Sequence, residues 1–202
     1  MSYQINLHTH KQVINKLARS IAKCHPPMCI WLTGLSGAGK STIANLLEQR
    51  LHSARFHTYL LDGDSVRQGL NRDLQFNAND RKENIRRTAE VAKLMVDAGL
   101  IVIVSFISPF REDRAFARSL FETQEFFEVF VDASIAECVR RDPKGLYEKA
   151  IRGQLIEFTG ISSVYEVPES PDVHIFTQHE SPESSVDKLF KSLPDYLKIQ
   201  CD

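Results

Sequence analysis

Apolar positions along the chain fall into two kinds of pattern. Short, nearly continuous runs occur at "MCIWLTG" (28–34), "TYLLDG" (58–63), "LIVIVSFI" (100–107), "FFEVFVD" (126–132) and "VHIFTQ" (173–178). Such runs predict strands buried on both faces, as in a parallel sheet. Between them, apolar residues recur at helical spacing near 40–52, 80–98, 111–122 and 134–141. An earlier helix over 11–23 carries Val13, Ile14, Leu17, Ala18 and Ile21, and Pro26 and Pro27 stop it. Ser181 and Pro182 predict the start of a last helix, with Val186, Leu189, Phe190 and Leu193 as its buried stripe and Pro194 at its end. The alternation predicts an α/β fold: a doubly wound sheet of about five parallel strands with helices on both faces. Functional groups are then expected at the carboxyl ends of the strands.

Residues 142–171 are rich in Gly, Pro and Ser and read as a mobile lid with one short helix. The chain shows no internal repeat and no linker. The expectation is one domain over 1–202, with 1–27 as a helical extension and 142–171 as the lid region.

Composition narrows this picture. The chain has 202 residues, 43% hydrophobic and 25% charged, enough for a sizeable core. A net charge of −1 gives no electrostatic ground for nucleic acid or an anionic membrane. No apolar run reaches membrane-spanning length, and "MSYQINLHTHKQ" lacks the features of a signal or transit peptide. Cys24, Cys29, Cys138 and Cys201 show no C-x-x-C spacing and read as reduced thiols of a cytoplasmic protein. His8 and His10 form a lone H-x-H, read as a solvated tail rather than a metal site.

The first chemistry lies in "WLTGLSGAGKSTIANLL" (31–47). Gly34, Gly39, Lys40 and Ser41 match G-x-x-x-x-G-K-[ST], the phosphate loop (P-loop), placed between a strand and a helix as its mechanism requires. Backbone N–H groups of Gly34, Leu35, Ser36, Gly37, Ala38, Gly39, Lys40, Ser41 and Thr42 are expected to surround phosphate oxygens at a helix N-terminus. Lys40 would reach the β- and γ-phosphates and Ser41 would ligate Mg²⁺. ATP with magnesium is therefore expected, in a P-loop NTPase-type fold.

Other residues stay open on pattern alone. Asp62 and Asp64, at the end of the second strand, either organise the metal and accept a proton or merely cap backbone groups in an Asx turn. Asp80 with Glu83 resembles a capping box. Arg81, Lys82, Arg86 and Arg87 then either face a bound anion or form a solvated face. The third strand has no acid at its end, so metal duty passes to Asp62, and Ser108 occupies that tip. Arg140, Arg141, Lys144, Lys149 and Arg152 gather around a D-P-K-G turn and suit closure over phosphates.

Six segments in order, "GLSGAGKST", "LDGDSVRQGLNRDL", "DRKENIRRTAEVAKLMVDAGL", "SFISPFREDR", "VFVDASIAECVRRDPKGLYEKA" and "FTGI", make the chain resemble the adenylyl-sulfate kinases from about residue 25 to 180. The resemblance implies transfer of the ATP γ-phosphoryl group to the 3′-hydroxyl of adenosine 5′-phosphosulfate (APS). The products would be 3′-phosphoadenosine 5′-phosphosulfate (PAPS) and ADP, in sulfate assimilation. It also implies Mg²⁺ and a homodimer. By motif match, Asp64, Arg67, Phe76, Arg81, Asn84, Ile107, Ser108, Lys144, Phe158 and Thr159 would hold the adenylyl sulfate, with Phe76 and Phe158 sandwiching its adenine. Ser108 matches the family's phosphoserine position, and Lys40, Asp62 and Ser108 are the expected catalytic set. Phosphoryl transfer needs positioning and charge neutralisation more than a protein nucleophile, so direct transfer is the reading. Another small-molecule P-loop kinase and a catalytically silent binder of APS or PAPS are the alternatives; no N-K-x-D guanine reader points to a GTPase. Three departures stand out: Gln75 in L-G-F, Ser65 in D-G-D-N and Val164 in S-P-Y-E, the last expected to loosen its turn.

Overall fold

The computed structural model describes residues 13–195. In chain order they form α1 (Lys16–Lys23), β1 (Met28–Thr33), α2 (Lys40–Ser53), β2 (Thr58–Asp62), α3 (Gly63–Gln68), α4 (Ala78–Asp97), β3 (Ile101–Ser105), α5 (Arg111–Ser119), β4 (Phe126–Asp132), α6 (Ile135–Arg141), α7 (Leu146–Ile151), β5 (Val173–Phe176) and α8 (Pro182–Ser192). The five strands are all parallel, in the order β2-β3-β1-β4-β5. Central β1 is buried at every position, as its unbroken apolar run predicts. The edge strands are less covered: Tyr59 of β2 and Phe176 of β5 are exposed.

The side chains of β1 alternate between two cores. Met28, Ile30 and Leu32 pack with Ile43, Leu47 and Leu51 of α2 and Val186 and Leu189 of α8. Cys29 and Trp31 pack with Ile85, Ala89, Ala92 and Val96 of α4 and Ala117 of α5. Helices thus cover both faces, as the pattern predicts. Ser181 caps α8, its side chain accepting from Ser184 N at 3.2 Å, and Pro182 sits in the first turn.

Local chemistry corrects several boundaries. The capping box expected at Asp80 and Glu83 is not formed, and the helix starts three residues earlier than that pair implies. Asn77 is the N-cap of α4, accepting from Asp80 N at 2.9 Å, while Asp80 accepts from Gln75 N and Asn77 Nδ2. Glu83 instead pairs with Arg86 and Arg87. The sequence reading stopped β2 in an acidic turn and missed α3, a helix of six residues too short to show periodicity. His8, His10 and Cys201 lie outside the described residues; Cys29 and Cys138 are buried free thiols.

The turn after β1 depends on one missing side chain. At Gly34, φ is +151° and an added Cβ would sit 2.2 Å from the carbonyl oxygen of Val131 in β4. That oxygen belongs to a central strand and cannot move cheaply. Gly34→Ala should therefore lower stability by about 2 kcal/mol or more, read as a fall in the urea midpoint. An unchanged midpoint would show that the loop has freedom the packing denies.

Candidate active site

The P-loop leaves the centre of the sheet, where the chain's order along the sheet reverses and the carboxyl ends of parallel strands open a crevice. Gly39 begins α2 at φ +101° with no side-chain cap. The first N–H groups of a 14-residue helix are thereby left to a ligand, in a positive field. Lys40 is buried and donates to Leu35 O at 2.8 Å, curling back over its own loop. Burial pushes its ammonium down to about 8. Tyr147 of α7 braces the loop from outside, donating to Ser36 O at 2.9 Å.

Ser41 and Asp62 meet across the mouth of this cradle, the Ser41 hydroxyl donating to Asp62 Oδ2 at 2.8 Å. Asp62 Oδ1 accepts from Asp64 N at 3.1 Å and so caps α3. One oxygen thus takes the capping role and the other faces Ser41. Ser105, the last residue of β3, brings its Oγ within 3.5 Å of Ser41 Oγ. The sequence reading found no acid at this strand end and passed over the serine. A hydroxyl pair beside one carboxylate is a set of hard oxygen donors, which suits Mg²⁺. Among the described residues no cluster of three or more His, Cys, Asp or Glu offers a softer metal site.

From this cradle one continuous cleft of about 1420 Å³ extends past α3 and the start of α4 to the segment 154–159. All ten residues expected to hold the second substrate line it: Asp64, Arg67, Phe76, Arg81, Asn84, Ile107, Ser108, Lys144, Phe158 and Thr159. Ser36, Gly37, Gly39, Lys40, Ser41 and Thr42 line its other end, whereas Gly34, Leu35 and Ala38 do not. Ala38 is packed into the core and Gly34 against β4.

The cations of the cleft are held mostly by neutral groups. Arg67 lies over the Phe76 ring at 4.4 Å and donates to Leu74 O and Gln75 O at 3.3 and 3.0 Å. Arg81 is buried and donates to Phe76 O at 2.6 Å, to Thr159 Oγ1 and to Glu157 O. Asn84 accepts from Asn71 Nδ2 at 2.9 Å. Phe158 packs edge-on against Tyr147, centroids 4.9 Å apart. Lys144 closes an ion pair with Asp64 across the cleft, joining the 142–145 turn to α3.

Charge elsewhere is spent locally. Of the basic run in α4, only Arg81 enters the cleft. Lys82 pairs with Glu112, Arg86 with Glu83, and Arg87 with Glu83 and Asp73. Around the D-P-K-G turn, Arg141 and Lys144 line the cleft; Glu137 pairs with both Arg140 and Arg141, and Glu148 pairs with Arg152 at the surface. Arg141 also reaches Thr177, with Nη1 on Oγ1 at 3.1 Å and Nη2 on the carbonyl at 2.7 Å. Thr177, Glu180 and Ser185 complete that end. Glu180 Oε2 and Ser185 Oγ are buried without a hydrogen-bond partner. The sequence reading missed all three, because they follow β5 and match no motif.

Ser108 is 1% exposed and adopts φ +38°, rare for a non-glycine residue. Its hydroxyl accepts from Trp31 Nε1 at 3.1 Å. No base touches it. Two departures from the family pattern prove mild. Gln75 has ordinary negative φ and its amide and carbonyl are both bonded. The turn at Val164 is not left loose by its neighbours: Tyr165 OH meets Thr33 Oγ1 at 2.9 Å and Glu166 Oε2 accepts from Arg111 N at 2.7 Å. Ser65 is exposed on α3.

Residues 26–176 match the family model for adenylylsulphate kinase. The chain is 62% identical over 177 residues to the bifunctional enzyme NodQ of Rhizobium meliloti, a match covering 88% of this chain but only 28% of that protein. It is 54% identical over 188 residues to the adenylyl-sulfate kinase of Aeromonas salmonicida, covering 93% of this chain and 96% of that one. Its backbone superposes on the APS kinase CysC of Mycobacterium tuberculosis, solved in complex with AMPPNP and APS, with a TM-score of 0.80 at 44% identity, over 84% of this chain and 98% of that one. A triphosphate cradle opening into a second basic and aromatic subsite, together with these matches, places the chain in the adenylyl-sulfate kinase family.

Proposed function

We propose that this chain transfers the γ-phosphoryl group of ATP to the 3′-hydroxyl of adenosine 5′-phosphosulfate, giving PAPS and ADP, as a step of sulfate assimilation. The carrying observation is that one cleft of about 1420 Å³ joins the P-loop to the Arg67, Phe76, Arg81, Phe158 and Thr159 group. Sites for one drug-sized ligand span roughly 300–1,000 Å³, so this cleft has room for two nucleotides. Its donors suit them: main-chain N–H groups and Lys40 for a triphosphate, aromatic rings for adenine, guanidinium groups for phosphosulfate.

In this reading the P-loop and Lys40 hold the donor's phosphates. Ser41 and Asp62 would hold Mg²⁺, which when bound neutralises charge on the β- and γ-phosphates. Phe76 and Phe158 flank the acceptor's base, and Arg67 and Arg81 meet its anionic groups. The acceptor oxygen attacks the γ-phosphorus in line, and the bond from that phosphorus to the β–γ bridging oxygen breaks. Asp62, beside Ser41, and Asp64, exposed and paired with Lys144, are the carboxylates this reading assigns to take the released proton. Transfer is direct. The Ser108 hydroxyl is engaged by the Trp31 indole and has no base to activate it, which favours a positioning role over a phosphoserine intermediate. The 142–171 region acts as a lid of a single domain, its Lys144 to Asp64 bridge marking where it meets α3. A homodimer rests on the resemblance, and a cytoplasmic location on the reading of the cysteines as reduced thiols. Among the described residues no helix is long and apolar enough to cross a membrane.

Purified protein with ATP and magnesium should release ADP only when adenylyl sulfate is supplied. Release with a sugar or a nucleoside, and none with adenylyl sulfate, would assign another acceptor. Asp62→Asn keeps the shape but loses the charge. It should lower kcat at least about tenfold while the ATP KM stays within about threefold; an affinity-only effect would take Asp62 out of the chemistry.

Lys40 supplies a pH dependence. Its folded value of about 8 means that the free enzyme loses this charge as pH rises through 8. A bound polyphosphate favours the ammonium, so nucleotide binding should take up a proton above that pH. Calorimetry in two buffers of different ionisation enthalpy should show most of one proton taken up, roughly 0.9, at pH 9, and a small fraction near pH 7. Equal uptake at both would mean that Lys40 is charged throughout.

A further inference from the structure

Ser108 forms part of the cleft wall in a backbone conformation that serine rarely adopts, so something outside the residue must hold it there. The holder is a side chain that no motif reading singled out. Arg114, on α5, is 3% exposed and lies behind the wall. Its Nη1 donates to Ser108 O at 2.7 Å, its Nη2 to Glu166 O at 2.7 Å and its Nε to Glu128 Oε1 at 2.9 Å. One planar fork thus joins the loop after β3, the segment that follows Thr159, and β4. Glu128 is fixed in turn, its amide donating to Asp172 Oδ2 at 2.7 Å and Asp172 pairing with Arg118. A second donor, Thr33 Oγ1, reaches Ile107 O at 2.7 Å and Ser108 O at 3.3 Å.

We propose that Arg114 is a positioning residue for the acceptor half of the cleft. By pinning the Ser108 carbonyl and the 165–167 segment together, it fixes the Ile107–Ser108 wall against which the acceptor nucleotide rests. Its own hydrogen bonds avoid the P-loop, and the wall meets that loop through a long bond, Gly34 N to Ile107 O at 3.5 Å, so the larger effect falls on acceptor binding rather than on ATP. The proposal rests on the function argued above for which ligand is the acceptor, but the geometry it asserts is independent of that ligand. Only a guanidinium can serve here, because three bonds leave one plane in three directions; an ammonium at the same place reaches fewer and holds none in plane.

The molecule carries its own reporter. Trp31 is the sole tryptophan, and its indole N–H is bonded to Ser108 Oγ. A shift of Ser108 therefore changes the hydrogen bond on which the intrinsic emission depends.

Arg114→Lys is the test, with Ser108→Ala as the spectral reference. The KM for adenylyl sulfate should rise at least tenfold while the ATP KM stays within twofold, and the emission maximum should move in the direction seen for Ser108→Ala. If Arg114→Lys does not fold, Thr33→Val removes the second donor to the same carbonyl at nearly constant volume. It should raise the acceptor KM severalfold with the same spectral shift. An acceptor KM within twofold of the parent in a folded variant overturns the proposal, as does an equal rise in both KM values, the mark of general loosening. Should the parent protein show no turnover with adenylyl sulfate, the assigned reaction fails. The emission of folded Arg114→Lys then decides the positioning role by itself, an unshifted maximum overturning it.

Discussion

The close approach of Gly34 to the carbonyl of Val131 sets the rest of the site. Only a residue without Cβ lets the chain leave β1 hard against β4 and turn at once into the phosphate loop. That turn determines where α2 begins, and so where its free N–H groups, Lys40 and Ser41 lie. Because β1 is buried on both faces by two separate cores, the loop has a rigid base. Preorganised amides on such a base lose little on binding an anion, which is why phosphate sites are built this way.

Charge is divided within this small protein by how each cation is held. Arg86, Arg87, Arg140 and Arg152 are matched by carboxylates at the surface and contribute little beyond solubility. Lys40, Arg67 and Arg81 are bonded to carbonyls, a hydroxyl and an aromatic face instead. Those partners orient a cation without neutralising it. A buried, unneutralised charge is costly, and an anionic ligand relieves that cost. The cleft therefore presents cations that an anionic ligand would neutralise.

The acids follow the same logic of divided labour. Asp62 uses one oxygen to start α3 and the other to face Ser41, so a single carboxylate ties α3 to the start of α2. Asp64 is bridged to Lys144 and couples α3 to the turn before α7. Opening and closing of the cleft would then exchange this pair for contacts to ligand. Ser108, held from behind by Arg114 and from the side by Trp31, belongs to the stationary part of the structure.

In the sequence by itself, local rules suffice for the five strands, the longer helices and the phosphate loop, though not for the short α3. Those rules are continuous apolar runs for β1 and β4, Ser181 and Pro182 for the start of α8, and glycines at fixed offsets for the loop. Its motif resemblance also collected ten residues that line one cleft. Spacing alone left open which arginines in one basic run face that cleft, since Arg81 and Arg87 differ only by the burial their helix position acquires on packing; the motif resemblance singled out Arg81, which does line it. Thr177, Glu180 and Ser185 stayed invisible, and Arg114, though inside a matched segment, had no role to read: Thr177 meets Arg141 36 residues away, Arg114 meets Glu166 52 residues away, and no spacing encodes such contacts. Only the tertiary structure decided which charges are neutralised and which are left for a ligand, because that depends on what packs beside each side chain rather than on what precedes it.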